Sequence, residues 1–263
     1  MTQTDTALLP DESAVISVLG LTMAYDDFII QHDLNFSINR GDIFIIMGGS
    51  GCGKTTLLKH IIGLLRPEQG QVRYGNLDYW QSDEQQQASI NRRFGVMFQG
   101  GALWSSLTLA ENVGLPLHEY TELSENEINA VVSFKLALVG LAGYEEFYPA
   151  QLSGGMKKRA SLARAIALDP EILFFDEPGS GLDPFSAKRL DDLILELRDS
   201  LGMTIIVVSH EPASILSIGN NSVFLDDEKR TMIAYGNPSM LITQSPEAKV
   251  RAFLHRGQYE NKG

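Results

Sequence analysis

The run Gly48, Gly49, Ser50, Gly51, Cys52, Gly53, Lys54 and Thr55 constrains this chain more than any other feature. It matches G-x-x-x-x-G-K-[ST] and lies between a continuous apolar stretch, IFIIM at 43–47, and a helical pattern over 54–65 that Pro67 closes. A strand buried on both faces, a glycine loop and a helix start, in that order, make a phosphate cradle. The glycines let successive N–H groups turn into one cavity. The helix N-terminus contributes partial positive charge, Lys54 contributes a full one, and the Thr55 hydroxyl is placed to ligate Mg²⁺. Alone, the motif specifies a binder of nucleotide phosphates.

A second apolar run, ILFF at 172–175, ends in Asp176 and Glu177. Two carboxylates at the end of a buried strand are costly unless a cation or a reaction uses them. Asp176 is assigned to Mg²⁺, and Glu177 to the general base that polarises an attacking water. Between the two runs stands Leu152 followed by Ser153, Gly154, Gly155 and Met156, ahead of a helix expected over 155–168. An N-cap serine followed by two glycines at a helix start is a second anion-binding surface. One chain holding one nucleotide has no use for two cradles. Two copies arranged head to tail do, each enclosing ATP between its own phosphate loop and the other copy's Ser153, Gly154 and Gly155.

The surrounding pattern is that of an α/β protein. Short β-rich pieces at 17–19, 24–25, 28–30 and 34–38 are separated by turns expected at Gly20, 26–27 and 39–41. Residues 100–168 read as mostly helical, with Ser124 as an N-cap and Glu127 three residues on. Leu190, Leu193, Ile194, Leu197 and Leu201 fall on one helical face that Gly202 ends, TIIVV at 204–208 is strand, and 223–225 with 232–235 suggest a hairpin. Alternating strands and helices around apolar runs predict a parallel-core sheet with an antiparallel flank.

Charge narrows the partners. With 33 acidic against 21 basic residues the net charge is −12, which disfavours nucleic acid and direct adsorption to anionic lipid; any membrane attachment should run through a protein. Cys52 is the single cysteine, residues 1–12 lack the basic start and apolar core of a signal peptide, and no run approaches about 18 apolar residues. The expectation is a cytosolic chain in a reducing compartment, with the Cys52 thiol incidental.

Taken together, these motifs resemble the ATP-binding cassette (ABC) ATPases over nearly the whole chain. The resemblance implies a single P-loop NTPase domain of the ABC nucleotide-binding type. It would have a RecA-like core at about 15–99 and 166–240, an inserted helical subdomain at about 100–165, an antiparallel β flank and a C-terminal tail at about 241–263. It implies ATP and Mg²⁺ as cofactors. It assigns Gln99, after GVMF, to the Mg²⁺ and the water, and Asp183 to a D-loop that begins at Ser180. His210 becomes a switch histidine at the γ-phosphate, Tyr25 a ring stacked on adenine, Thr56 a part of the ATP site and Met156 a part of the signature contact in trans. Gly179 departs from the threonine that most relatives carry after Asp-Glu-Pro.

Three stretches resemble the Mla-type and Mce-type lipid transporters, the MlaF-like group. They are IMGGSGCGKTT at 46–56, MFQGGALW at 97–104 continuing to Leu117, and LSGGMKKR at 152–159. This resemblance implies a homodimer beneath integral membrane permease subunits, at the cytoplasmic face of the inner membrane. The permease would join it to an MCE-type lipid-binding protein, and the cargo would be phospholipid. An importer ATPase for another small substrate and a transmembrane-signalling ATPase are the alternatives. Two local readings stay open. Leu103, Trp104, Leu107 and Leu109 either dock a membrane-subunit helix or pack inside the helical subdomain; residues 250–257 either fray or form a short helix on the sister subunit.

Overall fold

Residues 43–47 alternate between two hydrophobic clusters, and this alternation sets the architecture. Ile43, Ile45 and Met47 pack into one cluster, Phe44 and Ile46 into the other. The strand therefore lies at the centre of a sheet covered on both faces. The computed structural model describes residues 14–260, with side chains to 256. The stretch 1–12 lies outside the described residues.

In chain order the elements are β1 (Ala14–Tyr25), β2 (Phe28–Asn39), β3 (Ile43–Gly48), α1 (Lys54–Ile61), β4 (Gln69–Tyr74), β5 (Leu77–Asp78), α2 (Glu84–Asn91), β6 (Phe94–Met97), α3 (Leu109–Tyr120) and α4 (Glu125–Leu138). There follow α5 (Gly154–Ala165), β7 (Ile172–Asp176), α6 (Pro184–Leu201), β8 (Thr204–Val208), α7 (Pro212–Ile218), β9 (Asn221–Asp226), β10 (Thr231–Tyr235), α8 (Pro238–Gln244) and α9 (Ala248–Glu260). Six strands form the order β10-β9-β3-β8-β7-β6, parallel except for β10 at one edge. A separate antiparallel sheet, β2-β1-β4-β5, closes one face. The parallel core and antiparallel flank expected from the sequence are both present.

Several boundaries differ from the sequence reading. Gly20 makes no turn: it sits inside the 12-residue β1 at φ +57°, where the register against β2 shifts between Val18 and Leu21, so the residue serves a bulge. Helix α1 stops at Ile61 instead of running to Leu65. Gly63 adopts φ +79°, and a Cβ there would meet the Tyr79 ring at 2.2 Å, so the chain turns before Pro67 is reached. Leu201 is exposed at the end of α6, outside the buried face formed by Leu190, Leu193, Ile194 and Leu197. Strands β4 and β5 and helix α2 were not anticipated; their apolar content is low and α2 is mostly exposed, so hydrophobic periodicity is weak there.

Ser124 caps α4 with Glu127 as expected, and α3 repeats the device with Thr108 and Glu111. Leu109 is fully buried and Leu103 packs on the same core, while Trp104 stays exposed. The buried Asn112 amide donates to the carbonyls of Trp104, Leu107 and Thr108, which shapes that loop from within. The tail is a helix seated on its own chain: Val250 and Leu254 of α9 are buried, and Phe253 meets Phe224 edge-on at 5.2 Å. Burial of each such side chain contributes about 1.5–3 kcal/mol, which explains why this segment does not fray.

Candidate active site

The phosphate loop joins β3 to α1, and its shape depends on positions where a side chain cannot fit. A Cβ on Gly48 (φ +150°) would lie 2.4 Å from the Leu225 carbonyl oxygen, and one on Gly53 (φ +97°) 2.7 Å from Ile30. Gly53 occupies the cap position of α1 without a side-chain cap, leaving the first N–H groups of the helix open to an anion. Lys54 is buried and its Nζ donates to the carbonyls of Gly48 (3.2 Å) and Gly49 (2.8 Å), spanning the loop from within. Cys52 is buried below it; burial, opposed by Lys54, pushes its thiol above the ordinary value.

Three strand ends converge beside this loop. The Thr55 hydroxyl donates to Asp176 Oδ1 at 2.8 Å. Asp176 is buried, and desolvation holds its carboxyl above the usual range against the lowering effect of Thr55. A hydroxyl and a carboxylate that is unfavourable as a bare buried anion are hard-oxygen donors that fit Mg²⁺. Glu177 takes φ +48°, a left-handed conformation rarely adopted by a residue with a side chain, and its N–H donates to the Val208 carbonyl at 3.0 Å. Its carboxylate is held on both oxygens. Gln99 Nε2 donates to Oε2 at 2.9 Å, and His210 Nδ1 lies 3.0 Å from Oε1. Gln99, Glu177 and His210, from the ends of β6, β7 and β8, thus form one hydrogen-bonded group.

The other residues singled out in the sequence lie around this centre. Gly49, Ser50 and Gly51 form the loop crest, and Thr56 is half-buried in the first turn of α1. Tyr25 is 52% exposed at the tip of the β1–β2 hairpin; Met23 and Ile30 of that hairpin touch the space beside Gly53. Ser153 caps α5, accepting from the Met156 N–H at 3.3 Å, with Ser153 and Gly154 exposed. Asp183 has a structural duty that the sequence reading overlooked: it caps α6, accepting from Phe185 N, Ser186 N and the Ser186 hydroxyl. The signal was legible, since Asp183-Pro184 is an N-cap followed by proline at the first helical position.

One group of residues escaped sequence reasoning. Along α5, Lys158, Ser161 and Arg164 stand three residues apart and face the segment after β6. The Lys158 ammonium donates to the Gln99 carbonyl; Arg164 donates to Ala102 O at 2.8 Å and to Gly101 O at 3.1 Å; a Cβ on Gly101 would strike the Ser161 hydroxyl. Burial lowers the Lys158 pKa, while Asp176 and Glu177 pull it upward. The segment carrying Gln99 is therefore bound to the helix that begins at the Ser153 corner. Arg164 also lines a cleft of about 650 Å³ with Arg92, Val96, Leu115, Pro116 and Tyr120, and a second cleft of about 460 Å³ borders Glu177 and His210.

Comparison with known proteins agrees with this geometry. Residues 31–180 match the family model described as ABC transporter. The chain is 42% identical over 240 residues to the intermembrane phospholipid transport system ATP-binding protein MlaF of Haemophilus influenzae, covering 91% of this chain and 90% of that protein. It is 40% identical to the probable ribonucleotide transport ATP-binding protein mkl of Mycobacterium tuberculosis, covering 91% of this chain but 66% of that longer protein. Among solved structures, a dimeric ATP-binding cassette in a post-hydrolysis state with ADP and Pi superposes with a TM-score of 0.76 at 29% identity, covering 84% of this chain and 98% of that one. Motif order, fold and these identities coincide: the chain belongs to the ABC transporter family, as one of its ATP-hydrolysing subunits.

Proposed function

We propose that this ATPase drives phospholipid movement across a bacterial cell envelope, working as a homodimer beneath membrane permease subunits that connect it to an MCE-type lipid-binding protein. The observation carrying the dimer is the presence of two anion-suited helix starts, at α1 and α5, with the Asp176–Glu177 pair beside only the first. Head-to-tail pairing uses both: ATP lies between one copy's phosphate loop and the other's Ser153, Gly154, Gly155 and Met156, with Asp183 at the seam and Tyr25 against the adenine.

In this reading Thr55, Asp176 and Gln99 would hold Mg²⁺, which would neutralise phosphate charge when bound. Lys54 and the loop N–H groups orient the phosphates. Glu177 takes a proton from the attacking water, and His210 and Gln99 fix the rotamer of that base. His210 also reaches the γ-phosphate. The clamp from α5 makes the position of Gln99 follow the Ser153 corner, so closure of the dimer and completion of the base belong to one movement. The cleft that Arg164 lines is suited to a helix of the permease, which supports a peripheral position at the cytoplasmic face of the inner membrane. Among the described residues no helix is long and apolar enough to cross a membrane.

The cargo assignment is supported by the likeness to MlaF over nine-tenths of both chains. The likeness to mkl, whose description names ribonucleotides, favours a small-solute alternative. Mass spectrometry of the tagged complex purified with its permease separates the two. Stoichiometric phospholipid that is released on ATP turnover supports the proposal; a complex that carries no lipid and is stimulated by a nucleotide cargo refutes it.

A further inference from the structure

The C-terminal helix reaches the back of the phosphate loop through a chain of polar contacts that the hydrolytic chemistry does not require. Lys249, on the first turn of α9, places its Nζ 2.8 Å from Asp226 Oδ2, 2.8 Å from Asp227 Oδ1 and 3.3 Å from Glu228 Oε1. These three carboxylates stand at the end of β9 and in the turn that follows it. Asp226 is buried, and its other oxygen accepts from the backbone N–H groups of Glu228 (2.9 Å) and Lys229 (2.6 Å), so the turn is rigid. A second ion pair, Lys229 with Glu247 at 2.8 Å, fastens the same turn to the residue before α9.

From that turn the contacts pass directly to the nucleotide loop. Gln31 is fully buried, and its Nε2 donates both to the Asp226 carbonyl at 2.9 Å and to the Cys52 carbonyl at 2.8 Å. Leu225 is the β9 partner of Gly48 at the start of the loop, and its carbonyl leaves no room for a side chain there. Asp227 lies near enough to the loop that its charge, after burial, adds to the upward push on the Cys52 thiol. Three carboxylates so placed oppose a polyphosphate in front of the loop. The ammonium of Lys249 stands among them, and its pKa is raised far above the ordinary value by Asp226 and Asp227.

Of these pairs only Lys249–Asp226 involves a buried carboxylate; Lys249–Asp227, Lys249–Glu228 and Lys229–Glu247 join exposed groups and contribute little to stability, and α9 is already anchored by Val250, Phe253 and Leu254. The cluster therefore needs a reason other than holding the helix down. We propose that Lys249 is a positioning residue for the nucleotide: by neutralising and pinning the 226–228 turn against the back of the phosphate loop, it makes α9 a functional part of the ATP site. The proposal rests on the loop at 48–55 being the nucleotide site, and the controls below keep the two claims apart.

The test is calorimetric titration of the full-length chain with ADP, which one protomer binds through its own loop. Lys249→Met should raise the Kd by about three- to tenfold, as expected for one lost charge acting through protein edge and solvent, and the effect should shrink in high salt. Lys249→Arg should restore wild-type affinity. Removing the two exposed carboxylates as well, in Lys249→Met/Asp227→Asn/Glu228→Gln, should recover most of the lost affinity, which a purely mechanical role of the lysine does not allow. Asp227→Asn/Glu228→Gln with Lys249 intact should bind ADP more tightly than wild type, a readout independent of any undocking of α9. An unchanged Kd in Lys249→Met, or a weakened one that the two neutralisations fail to recover, overturns the proposal while leaving the site intact. Loss of ADP binding in Lys54→Ala verifies the site itself; a wild-type chain that bound no ADP would remove both.

Discussion

The Thr55 hydroxyl donates to Asp176 across 2.8 Å, joining the first turn of α1 to the end of β7 over 121 positions of sequence. This bond places a hydroxyl and a carboxylate where one cation can meet both. In Thr55→Val the loop N–H groups and Lys54 remain, so ADP binding measured in chelator should stay close to wild type. The gain in affinity on adding Mg²⁺ should fall by about tenfold or more, the usual cost of losing a group that holds or orients a metal. Titrations with and without the cation check this, and an undiminished gain would remove Thr55 from the metal set.

Glu177 is suited to act as a base because Gln99 and His210 hold both its oxygens. Glu177→Gln preserves shape and removes the proton acceptor. ATP affinity should be retained while turnover of the assembled complex drops by about 10²–10⁴-fold. A mutant that hydrolyses ATP at the wild-type rate would exclude Glu177 from the reaction.

Asp191 supplies a pH test away from the phosphates. It is buried on α6, accepting from the Ser214 hydroxyl at 2.7 Å, and desolvation raises its pKa above the ordinary 3.8. Ionisation is thus harder in the folded than in the unfolded chain. At neutral pH the charge costs stability, and the cost disappears as pH falls through the raised value. Asp191→Asn keeps the hydrogen bond without the charge, so it should melt at a higher temperature than wild type at neutral pH and lose that advantage as the pH falls through the raised pKa. Equal melting temperatures at the higher pH would contradict the sign.

Lys135 tests the joint between the helical region and the core. Its side chain is 3% exposed on α4 and pairs with Asp169, which is itself held at φ +50° after α5. Asp169→Asn tolerates the left-handed backbone yet leaves the ammonium without its counter-charge, at a cost of about 1–3 kcal/mol because Asp169 itself is exposed. Lys135→Met/Asp169→Asn should recover most of this, since the buried charge is then gone as well. Urea denaturation of the four chains in the cycle measures the coupling.

Local chemistry was readable wherever neighbours in sequence are neighbours in space. The phosphate loop needs eight consecutive residues and two flanking patterns, so its shape and its electrostatics are both written in one segment. The same holds for the Ser153 corner and for the carboxylates that end β7. Gly20 and Gly63 show the limit. Glycine marks special backbone in both, but whether that means a turn, a bulge or a helix stop depends on β2 in one case and on Tyr79 in the other.

The polar relay behind the loop could not be read in this way. Gln31 and Asp226 are 195 positions apart, Gln99 and Glu177 are 78, and nothing in the periodicity of β2 or α9 distinguishes Gln31 or Lys249 from ordinary strand and surface residues. A buried amide becomes meaningful only when the fold brings two backbone carbonyls to it, and a surface lysine only when it is set among three carboxylates. Covalent order along the chain specifies the cradle for the phosphates. The groups that brace that cradle from behind are chosen by packing, because hydrogen bonds and charges act across a few ångströms of space without regard to separation in sequence.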